Sequence, residues 1–180
     1  MQRNPRKKFM FLSATFVMIF FVALNSGMLS AQTQDSLERQ IHHSLIMLPY
    51  YSVFDYLAFE LNGSNVTLTG QVERETLKSD AEFAVKQVNG VRSVKNEIEV
   101  LPVSANDSRI RLDIYRAIYY HPDFLHYAIQ AVPPIHIVVK NGDVTLYGSV
   151  ATEGDKIHAE LLAKGVAGVF TVTNKLDVNP

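Results

Sequence analysis

The chain has no cysteine. No disulfide can form, and no thiol is available to carry a lipid at a processed N-terminus. It has no Gly-x-Ser-x-Gly elbow and no glycine-rich phosphate loop, so the usual sequence signals of serine hydrolysis and nucleotide binding are missing. Its apolar run Phe9 to Leu24 counts 16 residues, short of the ~20 that a spanning helix needs. Positive charge is not in excess either, with 17 Lys and Arg against 18 Asp and Glu.

The basic side chains are unevenly placed. Arg3, Arg6, Lys7 and Lys8 precede the apolar run, and Leu29-Ser30-Ala31 follows it. This order predicts a secretory signal over residues 1–31, cleaved after Ala31, with an uncleaved N-terminal anchor as the alternative. The first 31 residues carry four basic and no acidic side chains. The remaining 149 would have 13 basic and 18 acidic ones, a net charge of −5. That balance argues against nucleic acid, whose binding needs cations against phosphate, and leaves only a local basic patch for anionic surfaces. Arg109, Arg111 and Arg116 are the candidates for such a patch.

The rest of the chain is organised around Ile135 to Val150. Two β-branched runs flank Asn141-Gly142, a dipeptide that favours positive φ at both centres of a tight hairpin turn. Ile135, Ile137 and Val139 alternate in one strand, Val144 and Leu146 in the other, so one face is buried and the register is pinned. The second strand has an earlier counterpart. Val66-Thr67-Leu68-Thr69-Gly70-Gln71-Val72 matches Val144-Thr145-Leu146-Tyr147-Gly148-Ser149-Val150 at an offset of 78. Between 65–100 and 143–178, 16 of 36 positions are identical without a gap. This is an internal duplication.

Each copy reads helix–strand–strand–helix–strand. Leu37, Ile41, Leu45 and Leu48 form a helical stripe after Asp35, and Pro49 ends it. Leu57, Phe59 and Leu61 alternate before the turn Asn62-Gly63-Ser64-Asn65. A second helix is predicted over 75–88 and a last strand over 94–100. Residues 101–107 read as a connection. In the second copy Ile110, Ile114, Ala117 and Ile118 are the stripe, and an expansion runs from Phe124 to Pro133-Pro134. A helix over 153–164, with Thr152 and Asp155 able to cap it, and a strand over 170–178 follow. The expected fold class is α+β: two tandem αββαβ domains, 35–101 and 108–178, each a three-stranded mixed sheet with two helices on one face. Units this small are marginal alone, so the copies are expected to pack together.

The pattern Val-Thr-Leu-x-Gly-x-Val, an amphipathic helix, Val-x-Gly-Val and Val-x-Asn-x-Leu/Ile-x-Val resembles the BON domain. Pro133-Pro134-Ile135-His136-Ile137-Val138-Val139-Lys140-Asn141-Gly142, Asp155-Lys156 and Gly168-Val169-Phe170 resemble one periplasmic branch of it. The second copy matches strongly, and the first is more divergent. The resemblance implies a non-enzymatic periplasmic envelope module, associated with osmotic or other envelope stress, that binds phospholipid or another envelope component. A protein–protein adaptor without lipid affinity is the alternative. No cofactor is implied, and the oligomeric state is left open.

Individual residues sharpen these expectations. Gly70 and Gly148 occupy positions that should not accept a Cβ, and Gly142 supplies the turn. Asn96 and Asn174 face a core and must be hydrogen-bonded there; a clamp on a neighbouring loop is the expected role. Tyr119, Phe124 and Tyr127, with Tyr115 and Tyr120 nearby, lie beside a helix whose stripe is already filled by isoleucine. They are the candidate lipid or partner contact, either at a membrane interface or between the two copies. The histidines predict no metal site. His42 and His43 point to different sides of a helix, His121 and His126 are five apart around a proline, and His136 alternates outward. Asn62-Gly-Ser, Asn65-Val-Thr and Asn106-Asp-Ser match glycosylation sequons, which matter only in a eukaryotic secretory pathway.

Overall fold

The computed structural model describes residues 34–130 and 133–179. The signal over 1–31 lies outside them. Among the described residues, no helix is long and apolar enough to cross a membrane.

The first domain begins with α1, residues 34–46. Strand β1, Tyr56–Asn62, turns through Gly63-Ser64 into β2, Asn65–Val72. Helix α2, Glu75–Lys86, then crosses over to β3, Ser93–Asn96, and β4, Glu99–Val100. β1 and β2 pair antiparallel, whereas β3 and β4 both run parallel to β2. The two short strands behave as one. Asn65 faces Ser93 and Gln71 faces Glu99, the same offset on either side of the break, and Glu97 N–H donates across it to Leu68 O at 2.8 Å. The core gathers Leu37, Ile41 and Leu45 from α1 and Leu77, Ala81 and Val85 from α2 onto Val66, Leu68 and Ile98.

The second domain repeats this order. Helix α3 spans Ala105–Tyr119. A 3-10 turn, Pro122–Phe124, and a short α4, Leu125–Ala128, occupy the expansion. Strands β5, Ile135–Lys140, and β6, Asp143–Val150, form the hairpin. Helix α5, Glu153–Lys164, leads to β7, Thr171–Val178. β6 is again central, antiparallel to β5 and parallel to β7. Asn141 and Gly142 both have positive φ, +55° and +84°, as the Asn-Gly turn requires. The α+β arrangement of two αββαβ units, each a mixed sheet with its helices on one face, is the expected one. One boundary differs: α3 starts at Ala105, inside the segment read as connection. Ser104 is its N-cap and accepts from Asp107 N–H at 3.2 Å. Asn106 and Asp107 look like loop residues, but short polar side chains are favoured in a first helical turn.

The duplication is visible in hydrogen bonds as well as in backbone. Asn96 donates to Lys78 O at 3.0 Å and to Glu82 Oε2 at 3.1 Å. Asn174 donates to Lys156 O at 2.8 Å and to Glu160 Oε2 at 3.2 Å. Each Oδ1 accepts from the N–H two residues on, Ile98 or Leu176. Both glutamates also pair with the lysine one turn later, Lys86 or Lys164. Those lysine bonds, then the asparagine bonds, hold both carboxyls below the usual range. The clamp therefore grips a helix, where a loop was expected. Its four residues are identical at the 78-residue offset. Replacing Asn174 with Ala leaves Leu176 N–H without that acceptor. A loss of about 1–2 kcal/mol is expected in urea unfolding, and a change below about 0.3 kcal/mol would show that the clamp contributes little.

Candidate functional site

Tyr119, Phe124 and Tyr127 are 0%, 0% and 4% exposed. All three belong to the core of the second domain, which corrects the expectation that they meet lipid or a partner. The physical reason is an edge strand. β5 pairs with β6 on one side only, so the main-chain groups on its other side need partners. Tyr119 Oη donates to Ile135 O at 2.7 Å and accepts from Ile135 N–H at 2.9 Å. Ile137 N–H donates to Val53 O of the first domain at 2.7 Å. Arg111 donates to Val139 O at 2.6 Å. Alternate residues 135, 137 and 139 are thus covered by a tyrosine, a first-domain carbonyl and an arginine. Tyr127 works further along. It donates to Asp155 Oδ2 at 2.9 Å and accepts from Ala151 N–H at 2.6 Å, tying α4 to the start of α5. Burial raises the pKa of both hydroxyls.

The contact between the copies is made by other aromatics. Tyr56 stacks on Tyr147 at 3.8 Å and 6°, Tyr51 on His136 at 5.4 Å, and Phe54 meets Tyr115 edge-on at 6.0 Å. Arg111, 3% exposed, pairs with Glu73 of the first domain at 2.9 Å. Lys140 pairs with Glu99 across the same seam. His136 and Tyr147 face each other across β5 and β6 on the sheet face away from the helices. The sequence signal was the near-continuous apolar run of β5, a mark of a strand covered on both faces. His136 is buried, its Nδ1 has no hydrogen-bond partner among the described residues, and burial lowers its pKa against opposing bonds to the backbone of Asp55 and Ser52. Beside it a cleft of about 490 Å³ opens between the domains, lined by His42, Leu45 and Tyr51 from one and Pro134, His136 and Ser149 from the other.

Asp107 and Asp55 are the buried acids of the two domains. Asp107 accepts from Asn141 N–H and Gly142 N–H, both at 2.9 Å, and fastens the hairpin turn to α3. Asp55 accepts from Ser52 N–H and Oγ and from Glu73 N–H. Each is consumed in holding backbone.

Of the candidate basic patch, Arg111 is withdrawn from the surface, while the exposed Arg109 and Arg116 share one carboxylate. Arg111 is buried in its pair, Arg109 binds Asp113, Asn106 and Ala167 O, and Arg116 binds Asp113. The second domain also offers apolar side chains to solvent. Leu125 and Ile129 lie four apart on and just after α4, 52% and 85% exposed. Ile157 and Leu161 lie four apart on α5, 53% and 61% exposed. In each helix the pair shares one side, and the two segments are joined by the Tyr127–Asp155 bond. In the first domain Phe83, 67% exposed, stands where Leu161 stands in the second. The sequence carries a signal for these residues. On α5 the core positions Ala159 and Ala163 leave Ile157 and Leu161 on a second stripe.

The family model of the BON domain matches residues 60–102 and 106–180. A search of curated proteins gave no match. Among solved structures, the C-terminal domain of CdsD, the structural protein of the type III secretion system of Chlamydia trachomatis, is similar at 14% identity and a TM-score of 0.27. The similarity covers 79% of this chain and 96% of that one. A second structure of CdsD is similar at 14% identity and a TM-score of 0.29, over 81% and 93% of the two chains.

Proposed function

The chain belongs to the BON-domain family, and from that membership we propose that it is a non-enzymatic protein of the cell envelope, exported to the periplasm, that binds phospholipid through its second domain. The observation that carries this reading is the exposed pair of apolar pairs, Leu125 with Ile129 and Ile157 with Leu161. Four branched aliphatic side chains on neighbouring helical segments are more than the scattered single exposures of an ordinary surface. Aliphatic and aromatic side chains on one side of a helix suit burial at the headgroup–acyl boundary. Bulk charge does not help, because the chain after residue 31 would be acidic, and of its nearby arginines Arg111 is buried in a pair while Arg109 and Arg116 share Asp113. Binding should therefore rest on apolar area and survive high salt, which screens charge.

Replacing Leu125, Ile129, Ile157 and Leu161 together with Ser tests this. Liposome flotation should be abolished while the thermal midpoint moves by no more than about 3 °C, since exposed side chains contribute little to the core. Flotation equal to that of the unmodified chain would overturn the assignment of the surface. If the unmodified chain floats with no liposome at any composition or salt, the adaptor reading takes its place.

A further inference from the structure

His121, Asp123 and His158 come from two places 35 residues apart in sequence and meet on one side of the second domain. His121 follows the end of α3, Asp123 lies in the 3-10 turn, and His158 is on α5. His121 Nδ1 is 3.6 Å from Asp123 Oδ2, and His158 Nδ1 is 3.3 Å from the same oxygen. The two imidazole rings are 4.6 Å apart at 80°. One ligand atom from each residue falls within 4.8 Å of the others.

These separations decide what the group suits. Zinc binds nitrogen and oxygen at about 2.0–2.2 Å in a tetrahedron, which puts neighbouring ligand atoms about 3.3–3.6 Å apart. Two of the three edges already have that length. The same contacts are long for hydrogen bonds, which favour about 2.7–3.2 Å. His121 Nδ1 accepts a long bond from Asp123 N–H at 3.3 Å, so this nitrogen is unprotonated, and the ion would take over its single lone pair in place of that bond. The supports are firm. Phe124, fully buried, lies 6.3 Å from the His121 ring and 5.4 Å from that of His158, and its N–H donates to His121 O at 2.9 Å. His158 sits beside buried Ala159 in the middle of a three-turn helix.

We propose that His121, Asp123 and His158 form a binding site for a divalent transition cation of the zinc type. Two imidazoles and a carboxylate suit such an ion, whereas calcium and magnesium favour oxygen alone. Three protein ligands leave a fourth position to water or another donor from solvent. The bound ion joins the 3-10 turn to α5 and so fixes the expansion that this domain has and the first lacks. This assignment is independent of lipid binding.

The purified chain, stripped with a chelator and titrated calorimetrically with zinc chloride, should take up one ion per molecule. His158→Gln and Asp123→Asn should each weaken uptake at least about tenfold, since even residues that only support a ligand cost about 10–100-fold. His42→Gln, in α1 of the first domain and outside the group, should leave it unchanged. Cobalt supplies a second readout: its visible absorption on binding should disappear in the same two variants. All these side chains are a third or more exposed or lie off the core, and circular dichroism confirms folding before titration. Absence of saturable uptake by the unmodified chain, or uptake by His158→Gln and Asp123→Asn equal to it, would overturn the site.

Discussion

Tyr119→Ala should lower the stability of the second domain by about 4 kcal/mol or more, a large part of the ~5–15 kcal/mol that holds a domain folded. Two losses combine. The ring is fully buried beside Phe124 and Ile135 in the core, and emptying such a site costs about 3–5 kcal/mol in transfer and cavity terms. The hydroxyl meanwhile serves both the N–H and the C=O of Ile135. Without it these buried groups on the strand edge lose their partner, at about 1–3 kcal/mol for an unsatisfied buried group. Tyr119→Phe separates the terms, since it keeps the ring and should cost only the second. Chemical denaturation followed by tyrosine fluorescence and by far-ultraviolet dichroism measures both. A Tyr119→Ala variant as stable as the parent, or one that keeps its midpoint while losing liposome flotation, would return the ring to the surface role that its burial denies.

Gly148→Val should cost about 3 kcal/mol or more. Gly148 has φ +107°, and a Cβ built there falls 1.8 Å from Pro134 O. The clash is with backbone at the start of the β5–β6 hairpin, which cannot move without breaking the register to Gly148 itself. Strain from φ and overlap from the added Cβ therefore add. Gly70 repeats the arrangement, with φ +124° and Tyr56 O at 2.0 Å, so Gly70→Val should behave alike in the first domain. Gly142 is the contrast. Its φ is +84°, but the nearest atom to an added Cβ is the ring of Phe170 at 2.6 Å, on a side chain that is largely exposed and can swing away. The nearest backbone atom, Gly168 O, is at 3.0 Å rather than 1.8 Å, so Gly142→Ala should cost only about 1–2 kcal/mol, mostly from strain in the turn. Equal effects of Gly148→Val and Gly142→Ala on the unfolding midpoint would show that backbone overlap is not the reason for glycine.

The burial of Tyr119, Phe124 and Tyr127 and the exposure of Leu125, Ile129, Ile157 and Leu161 invert a simple expectation from residue type. Isoleucine and leucine can pack a core but satisfy nothing polar. A tyrosine can do both, and an edge strand beside a core needs both.

The elements and their order are written locally in the chain. Alternation in Ile135 to Val139, helical stripes in Leu37 to Leu45 and Ile110 to Ile118, and Asn141-Gly142 between two strands are local patterns with local causes, so each was legible within about ten residues. The repeat at an offset of 78 then fixed that there are two such units and that Asn96 and Asn174 do the same thing. Tertiary structure alone decided what touches what beyond that range. That Tyr56 would stack on Tyr147, that Val53 would supply a carbonyl to Ile137, that Arg111 would spend its charge on Glu73, and that His121 and His158 would converge on Asp123 depend on how one unit docks on the other and how the 122–128 insertion folds back on α5. Such contacts join residues tens of positions apart and are selected by shape and by the need to satisfy buried polar groups, which leave no periodic trace in the chain.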